Sequence, residues 1–249
     1  MSVLLLLLAM HFMDFVNMVD FISVLAYDLW RSSQAYWKAN HPAPLYSNIS
    51  DVRTVDSLIH YWLEHDTPAV KLNLGIPLYG SSWTIPASSS SSKTEPPVSA
   101  SWGPFNKHTG RIGQIPYFEI CSNVKLNGWK VFGEDNNSTG PYAISAHAGP
   151  DQDTNSLIWV GYDDVDTVTI KSEYIRKIRG LGGATVWDLS QDDFRNDCGN
   201  KGTYQLTTAI SRTLGIPRAT AIKSLAMDSK QTACLSAVIY LTVICGLVN

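Results

Sequence analysis

Two rhythms of apolar and polar positions run through the first third of the chain. Residues 19–28 (VDFISVLAYD) are rich in β-branched and aromatic side chains, which predicts a buried strand. A loop over 29–50 follows, marked by Pro42, Pro44 and Asn and Ser turn residues. Over 51–64 the period lengthens. Val55, Leu58, Ile59, Trp62 and Leu63 fall on one helical face, with Asp51 as the expected N-cap. Beyond Pro68, residues 71–78 (KLNLGIPL) predict a second buried strand. Strand, helix and strand in that order mark a parallel α/β architecture.

The rhythm breaks at Ser82. From there to 182, short strand-like runs alternate with turns, and the Ser-rich stretch 88–92 reads as a flexible loop tip. So long an excursion between two strands predicts an inserted subdomain. Inside it, 157–162 (LIWVGY) predicts a strand and 168–178 (VTIKSEYIRKI) a helix. A third buried strand is expected over 182–189 (GGATVWDL), and the last helix over 201–214. The expected division is 1–81, an insertion over 82–182, a return over 183–214, and a spacer with an apolar tail over 215–249. No internal repeat is visible.

A chain of 249 residues is long enough to bury one large core. Its net charge of −3 argues against nucleic acid, which rewards basic patches that release phosphate counterions. No run of Lys or Arg suggests a membrane-surface patch. Cys121, Cys198, Cys234 and Cys245 form no C-x-x-C pair and have no cluster of His beside them, so no metal site is expected. No cofactor is expected either.

Glycosylation sequons occur at Asn48, Asn136 and Asn137. Chance alone gives about one or two in such a chain, so they carry little weight for secretion. The Leu run in 1–10 lacks a positive n-region and a cleavage site. It reads as a buried helix leading into the first strand rather than a signal peptide. The tail 233–248 (ACLSAVIYLTVICGLV) is apolar and uncharged, and short of the roughly 20 residues of a membrane span. Small residues Ala219, Thr220 and Ala221 lie upstream, then a polar spacer. That order suits a GPI-attachment signal; a tail-anchored helix and a read-through product are the alternatives.

Four blocks carry a resemblance. Leu25-Ala26-Tyr27-Asp28 is similar to M-x-Y-D, and Gly75-Ile76-Pro77-Leu78-Tyr79-Gly80 to G-x-P-x-Y-G. Gly103-Pro104-Phe105, followed by Tyr117-Phe118-Glu119-Ile120-Cys121, is similar to a G-P and Y-Y-E-x-C pair. Trp159-Val160-Gly161-Tyr162-Asp163-Asp164 comes next. The run from Gly183 to Phe194 then resembles G-x-x-x-W-x-x-x-x-D-D-F. In this order and spacing, the blocks resemble the C-terminal part of glycoside hydrolase family 18, the chitinases and chitinase-like lectins. The resemblance implies α/β architecture: a partial (β/α)₈ TIM barrel, strands six to eight, carrying an α+β insertion. Barrel strand ends of that kind point to the face where substrate binds.

The resemblance also implies roles. The family's substrate-assisted route uses the sugar's own N-acetyl oxygen as nucleophile. A Glu ending a D-x-x-D-x-D-x-E motif acts as acid. That motif does not occur in these 249 residues and is expected ahead of Met1, so this chain alone is expected to be inactive. Glu119 and Glu173 sit in the wrong blocks to replace it. Tyr27 would offer its hydroxyl to the N-acetyl oxygen. Asp28 would bond the sugar, Tyr79 and Glu119 would line the groove, and Trp187 would form its apolar floor. Taken alone, Tyr27 and Asp28 read as a water-facing strand end and Trp187 as a core residue; the ordered set of blocks is what turns them toward a groove. Asp192 and Asp193 read as a solvated turn or cap. Cys121 and Cys198 match the family's bridged pair, which implies an oxidising compartment.

Two departures touch the groove. Ser81 stands where the family carries Arg, and Trp30-Arg31-Ser32-Ser33 replaces H-G-S-W, with Trp37 as the candidate substitute. The implied ligand is chitin or another N-acetylglucosamine glycan. The implied parent activity is endo-hydrolysis of chitin, with a non-catalytic chitinase-like lectin as the alternative. The expected location is extracellular, with possible attachment to the membrane through the tail.

Overall fold

The protein is described by a computed structural model over residues 15–29, 39–47, 53–89, 101–133, 139–146, 155–199 and 202–215, all in one compact unit. In chain order come β1 (Ile22–Val24), α1 (Val55–Glu64), β2 (Leu72–Pro77) and β3 (Tyr79–Pro86). Four short strands follow: β4 (Ser101–Trp102), β5 (Phe105–Asn106), β6 (Arg111–Ile112) and β7 (Gln114–Pro116). Then come α2 (Tyr117–Leu126), β8 (Lys130–Phe132), β9 (Tyr142–Ile144) and β10 (Ser156–Gly161). The chain continues with α3 (Val165–Glu173), a π-helical stretch (Tyr174–Arg179), β11 (Gly183–Trp187) and α4 (Gln205–Leu214).

β2 is the middle of a parallel sheet, with β1 on one side and β11 on the other. Its residues Leu72, Leu74 and Ile76 are fully buried. The alternation in the first strand shows why: Ile22, Val24 and Ala26 are buried, whereas Phe21 and Leu25 are exposed. Period-two patterning thus covers one face and leaves the other open. The covered face packs against Val55 and Ile59 of α1, Val168 of α3, Tyr174 and Ile175 of the π-helical stretch, and Leu206 and Ile210 of α4. On the opposite face, Ser23 and Thr185 share a hydrogen bond of 2.9 Å.

Only Leu78 separates β2 from β3. Its N–H donates to the Trp187 carbonyl (2.9 Å) and its carbonyl accepts from the Tyr117 N–H (3.1 Å). The chain turns this corner into an antiparallel sheet ordered β4-β3-β10-β9-β8, with β7 also on β3. β5 and β6 form a separate hairpin. Aromatic rings stiffen this second sheet: Trp83 stacks on Trp102 at 4.1 Å, and Tyr142 stacks on both Phe132 and Trp159.

Element ends differ from the sequence reading for local reasons. α1 is capped by Thr54 rather than Asp51, which lies outside the described residues. Thr54 Oγ1 accepts from the Ser57 N–H and Ser57 Oγ from the Thr54 N–H, a reciprocal box. α3 begins earlier than expected because Asp164 accepts from both the N–H and the hydroxyl of Thr167. It passes into the π-helical stretch and ends at Gly180, whose φ of 61° suits glycine. Asp192 and Asp193 are fully buried, not solvated. Asp192 caps α4, accepting from the N–H groups of Leu206 and Thr207, and Asp193 accepts from Asp197, Cys198 and Gln205.

Cys121 and Cys198 form a disulfide, with Cα atoms 5.2 Å apart and a sequence separation of 77. It ties α2 to the loop after β11. Closing so long a loop stabilises by about 4 kcal/mol in the chain-entropy view. Among the described residues no helix is long and apolar enough to cross a membrane. Several expectations lie outside the described residues: the Leu run 1–10, 30–33 and Trp37, the three sequons, most of the Ser-rich tip, and the tail 216–249.

Candidate functional site

Parallel strands end together, so the C-terminal ends of β1, β2 and β11 share one edge of the sheet. The register aligns Leu74 with Val24 and with Ala184, and Pro77 with Trp187. Counting on by alternation, Tyr27, Pro77 and Trp187 fall on the same face, the one opposite the helices. Gly75 makes room there: a Cβ on it would lie 2.6 Å from the Val24 carbonyl oxygen and 3.0 Å from the Tyr27 ring.

Tyr79 is almost fully buried and donates its hydroxyl to Asp28 Oδ1 at 2.9 Å. Its ring meets the Tyr27 ring edge-on, with centroids 6.2 Å apart. Asp28 adopts a left-handed backbone (φ 55°), a conformation Asp tolerates better than most residues. Burial and the carboxylates of Asp28 and Asp188 push the Tyr27 hydroxyl up to about 12, against the opposing pull of Arg111. Tyr27 is therefore a neutral donor at any ordinary pH. Trp187 is 44% exposed at the tip of β11, and its peptide bond to Asp188 is cis.

The arrangement unites a neutral hydroxyl donor, a carboxylate acceptor and an open indole face on one edge. Such a set suits a ligand that is polar around its rim and apolar across its face, as a pyranose ring is. Tyr27, Asp28 and Tyr79 are in direct contact, and Trp187 shares the face of Tyr27. Glu119 lies on the first turn of α2, where its carboxylate accepts from Asn106 Nδ2 at 2.7 Å. Asn106 Oδ1 in turn accepts from the N–H groups of His108 and Thr109, so Glu119 anchors the turn of the β5–β6 hairpin. Among the described residues, Cys121, Asp193 and Cys198 form a cluster dense enough for a metal. Its sulfurs are bonded to each other and its carboxylate holds main-chain N–H groups, so it has no ligand to spare.

Asp188 and Arg111 were not singled out from the sequence. Asp188 follows Trp187 directly, and a carboxylate just past a strand tip was a usable signal. Arg111 gave none, because only the folded hairpin brings it near Tyr27.

Residues 7–192 match the model of Glycosyl hydrolases family 18. The chain belongs to that family. A curated relative, "Probable chitinase 10" of Drosophila melanogaster, is 37% identical over 204 residues, covering 80% of this chain and 8% of the relative. The Ostrinia furnacalis Group II chitinase catalytic domain 2 superposes with a TM-score of 0.67 at 29% identity, over 80% of this chain and 49% of that one. Human YKL-39, described as a pseudo-chitinase with retained chitooligosaccharide binding, gives 0.64 at 29% identity, over 80% and 52%. The chain thus spans about half the length of these two solved chains.

Proposed function

We propose that this chain is the C-terminal part of a chitinase-family barrel and binds chitin or other N-acetylglucosamine oligomers along the edge formed by Tyr27, Asp28, Tyr79 and Trp187. β1, β2 and β11 then correspond to barrel strands six, seven and eight, and the antiparallel sheet to the α+β insertion. The observation that carries this reading is the Tyr79–Asp28 hydrogen bond with the Tyr27 ring edge-on to Tyr79, on a sheet edge where Trp187 is exposed. Tyr27 donates to the N-acetyl oxygen, Asp28 accepts from the sugar, and Trp187 stacks beneath a ring. The parent activity in this reading is retaining endo-hydrolysis of chitin, with the acid supplied by a D-x-x-D-x-D-x-E segment that these 249 residues do not contain.

The second reading is a non-catalytic lectin. Human YKL-39, described as a pseudo-chitinase with retained chitooligosaccharide binding, supports it. The Cys121–Cys198 bridge supports an extracellular destination, and the tail 233–248 supports a GPI signal. Release by phospholipase C is the expected result for such an anchor; retention on cells contradicts it.

Calorimetric titration with chitotetraose and with cellotetraose tests the binding claim. Saturable heat with the first and none with the second is expected. Equal heats, or none with either, contradict the claim. A fluorogenic chitotriose substrate incubated with this chain is expected to stay intact; turnover contradicts the assigned lack of an acid.

A further inference from the structure

Between β1 and α1 the chain passes through a segment, 39–45, whose residues are all buried. This segment meets the end of β1 where the Leu29 N–H donates to the Pro42 carbonyl at 3.2 Å. Leu29 follows Asp28 directly. The bond therefore fixes the plane of the peptide joining them, and with it the ψ of Asp28. Asp28 is the residue with the left-handed φ of 55° and the carboxylate that Tyr79 holds.

The Pro42 carbonyl belongs to the same planar peptide unit as the Ala43 N–H. That N–H donates to His41 Nδ1 at 3.1 Å. One rigid plane is thus gripped from both sides, by His41 at its N–H and by Leu29 at its carbonyl. Each bond polarises the amide and strengthens the other. Lys171 Nζ secures the next peptide through the Ala43 carbonyl at 2.6 Å. The His41 ring is itself closely seated. A Cβ on Gly161 would lie 2.9 Å from the His41 Cα, and one on Gly140 would lie 2.7 Å from its Nε2. Because Nδ1 accepts, the ring proton is on Nε2, which faces Asp163 Oδ1 at 3.5 Å. Burial, and then the Lys171 charge, hold the ring well below the usual histidine range against the Tyr162 main chain. His41 therefore stays neutral, as an acceptor at Nδ1 must be.

We infer that His41 is a positioning residue for the glycan-binding edge: by holding the Ala43 N–H it aims the Pro42 carbonyl at Leu29, and so sets the backbone from which the Asp28 carboxylate reaches the ligand. His41 does not touch the sugar. It acts through two peptide planes, Pro42–Ala43 and Asp28–Leu29, joined by one hydrogen bond. The buried Asp163–Lys171 pair supplies the fixed wall against which the ring and the Ala43 carbonyl are held. The inference rests on the proposed glycan-binding reading and adds what orients the carboxylate of that edge.

Two substitutions that differ in where they place an amide test it. His41→Asn carries an acceptor at the position of Nδ1, whereas His41→Gln carries its amide near Nε2 and leaves the Ala43 N–H without one. Amide hydrogen exchange at Leu29 and calorimetric titration with chitotetraose are measured on both, below the onset of their thermal melts. In His41→Gln, Leu29 exchange is expected to quicken and affinity to fall, each by about tenfold, the worth of one buried hydrogen bond. Exchange at Leu74 in the middle of β2 is expected to stay at the wild-type rate. His41→Asn is expected to restore both readouts to within about threefold of wild type. His41→Ala takes the place of His41→Gln if the latter does not fold. A folded His41→Gln that binds as wild type does, one that loses affinity with Leu29 exchange unchanged, or a His41→Asn as weak as His41→Gln overturns the positioning role and leaves the edge reading intact. No binding by the wild-type chain overturns both.

Discussion

Asp28 and Asp163 are both carboxylates held by a neighbour's hydrogen, yet they sit in opposite surroundings. Asp28 accepts from the Tyr79 hydroxyl just past the end of β1, where it is only partly buried. Asp163 is fully enclosed. Lys171 Nζ reaches its two oxygens at 2.7 and 2.5 Å and also the Ala43 carbonyl at 2.6 Å, while His41 Nε2 lies 3.5 Å from it. This second cluster fastens the loop at 41–43 to β10 and α3. Every acceptor position there faces the protein. A partly exposed carboxylate beside a strand end can meet a ligand, whereas a walled-in one serves the fold.

The largest expected effect breaks the enclosed cluster. Lys171→Met strips Asp163 of its counter-charge and is expected to destabilise by about 3–5 kcal/mol, read as a shift in the denaturant midpoint. Removing the disulfide by Cys121→Ser is expected to lose about 2–4 kcal/mol, with the same readout. Trp187→Ala, on the open side, is expected to leave the melting temperature nearly unchanged while lowering oligomer affinity by about tenfold or more. Tyr79→Phe removes the hydrogen bond that positions Asp28 and is expected to cost about 1 kcal/mol of affinity, as measured by calorimetry.

Acidification sharpens the same contrast. Burial pushes Asp163 up to about 6, against the pull of Lys171, with Asp164 adding to the rise. A carboxyl raised in this way stabilises the fold most below its unfolded value, and that stabilisation is lost as pH rises through 6. His41 works in the other direction. Burial first, then Lys171, hold it well below its usual range against the Tyr162 main chain, so its contribution is lost as pH falls below the ordinary histidine range. Burial likewise lowers Lys171, opposed by Asp163. Between pH 7 and 5 the Asp163 and His41 contributions oppose each other. His41→Gln removes one of them, so its stability relative to wild type is expected to rise on acidification in paired thermal melts. A constant difference contradicts the assignment. The smallest expected effect is at high pH: with Tyr27 held near 12, oligomer affinity shows no break around pH 10.

Much of this was legible in the sequence. Apolar runs around Ile22, Leu74 and Val186 marked the three parallel strands, and the order of blocks brought Tyr27, Asp28, Tyr79 and Trp187 to one edge. What escaped was non-local. Asp192 and Asp193 read as a solvated turn or cap: Asp192 is a cap, but their complete burial escaped, because no local pattern announces that a carboxylate will meet a helix more than ten residues on. Its block gave Glu119 a place along the groove but not its hydrogen-bond partner Asn106, which only the folded hairpin brings close. Lys171 read as an ordinary helix position, and only the folded loop at 41–43 encloses it. Trp187 read equally well as core, and its exposure follows from which face of β11 the helices leave uncovered.

The central claim is that the open edge, not the aromatic antiparallel sheet, meets the glycan. Indole ¹⁵N NMR of the chain during a chitotetraose titration addresses it directly, with Trp187 assigned through Trp187→Phe. The account predicts a saturable shift of the Trp187 resonance, while those of the buried Trp83 and Trp159 stay in place. A titration that moves Trp83 or Trp159 and leaves Trp187 still would contradict it.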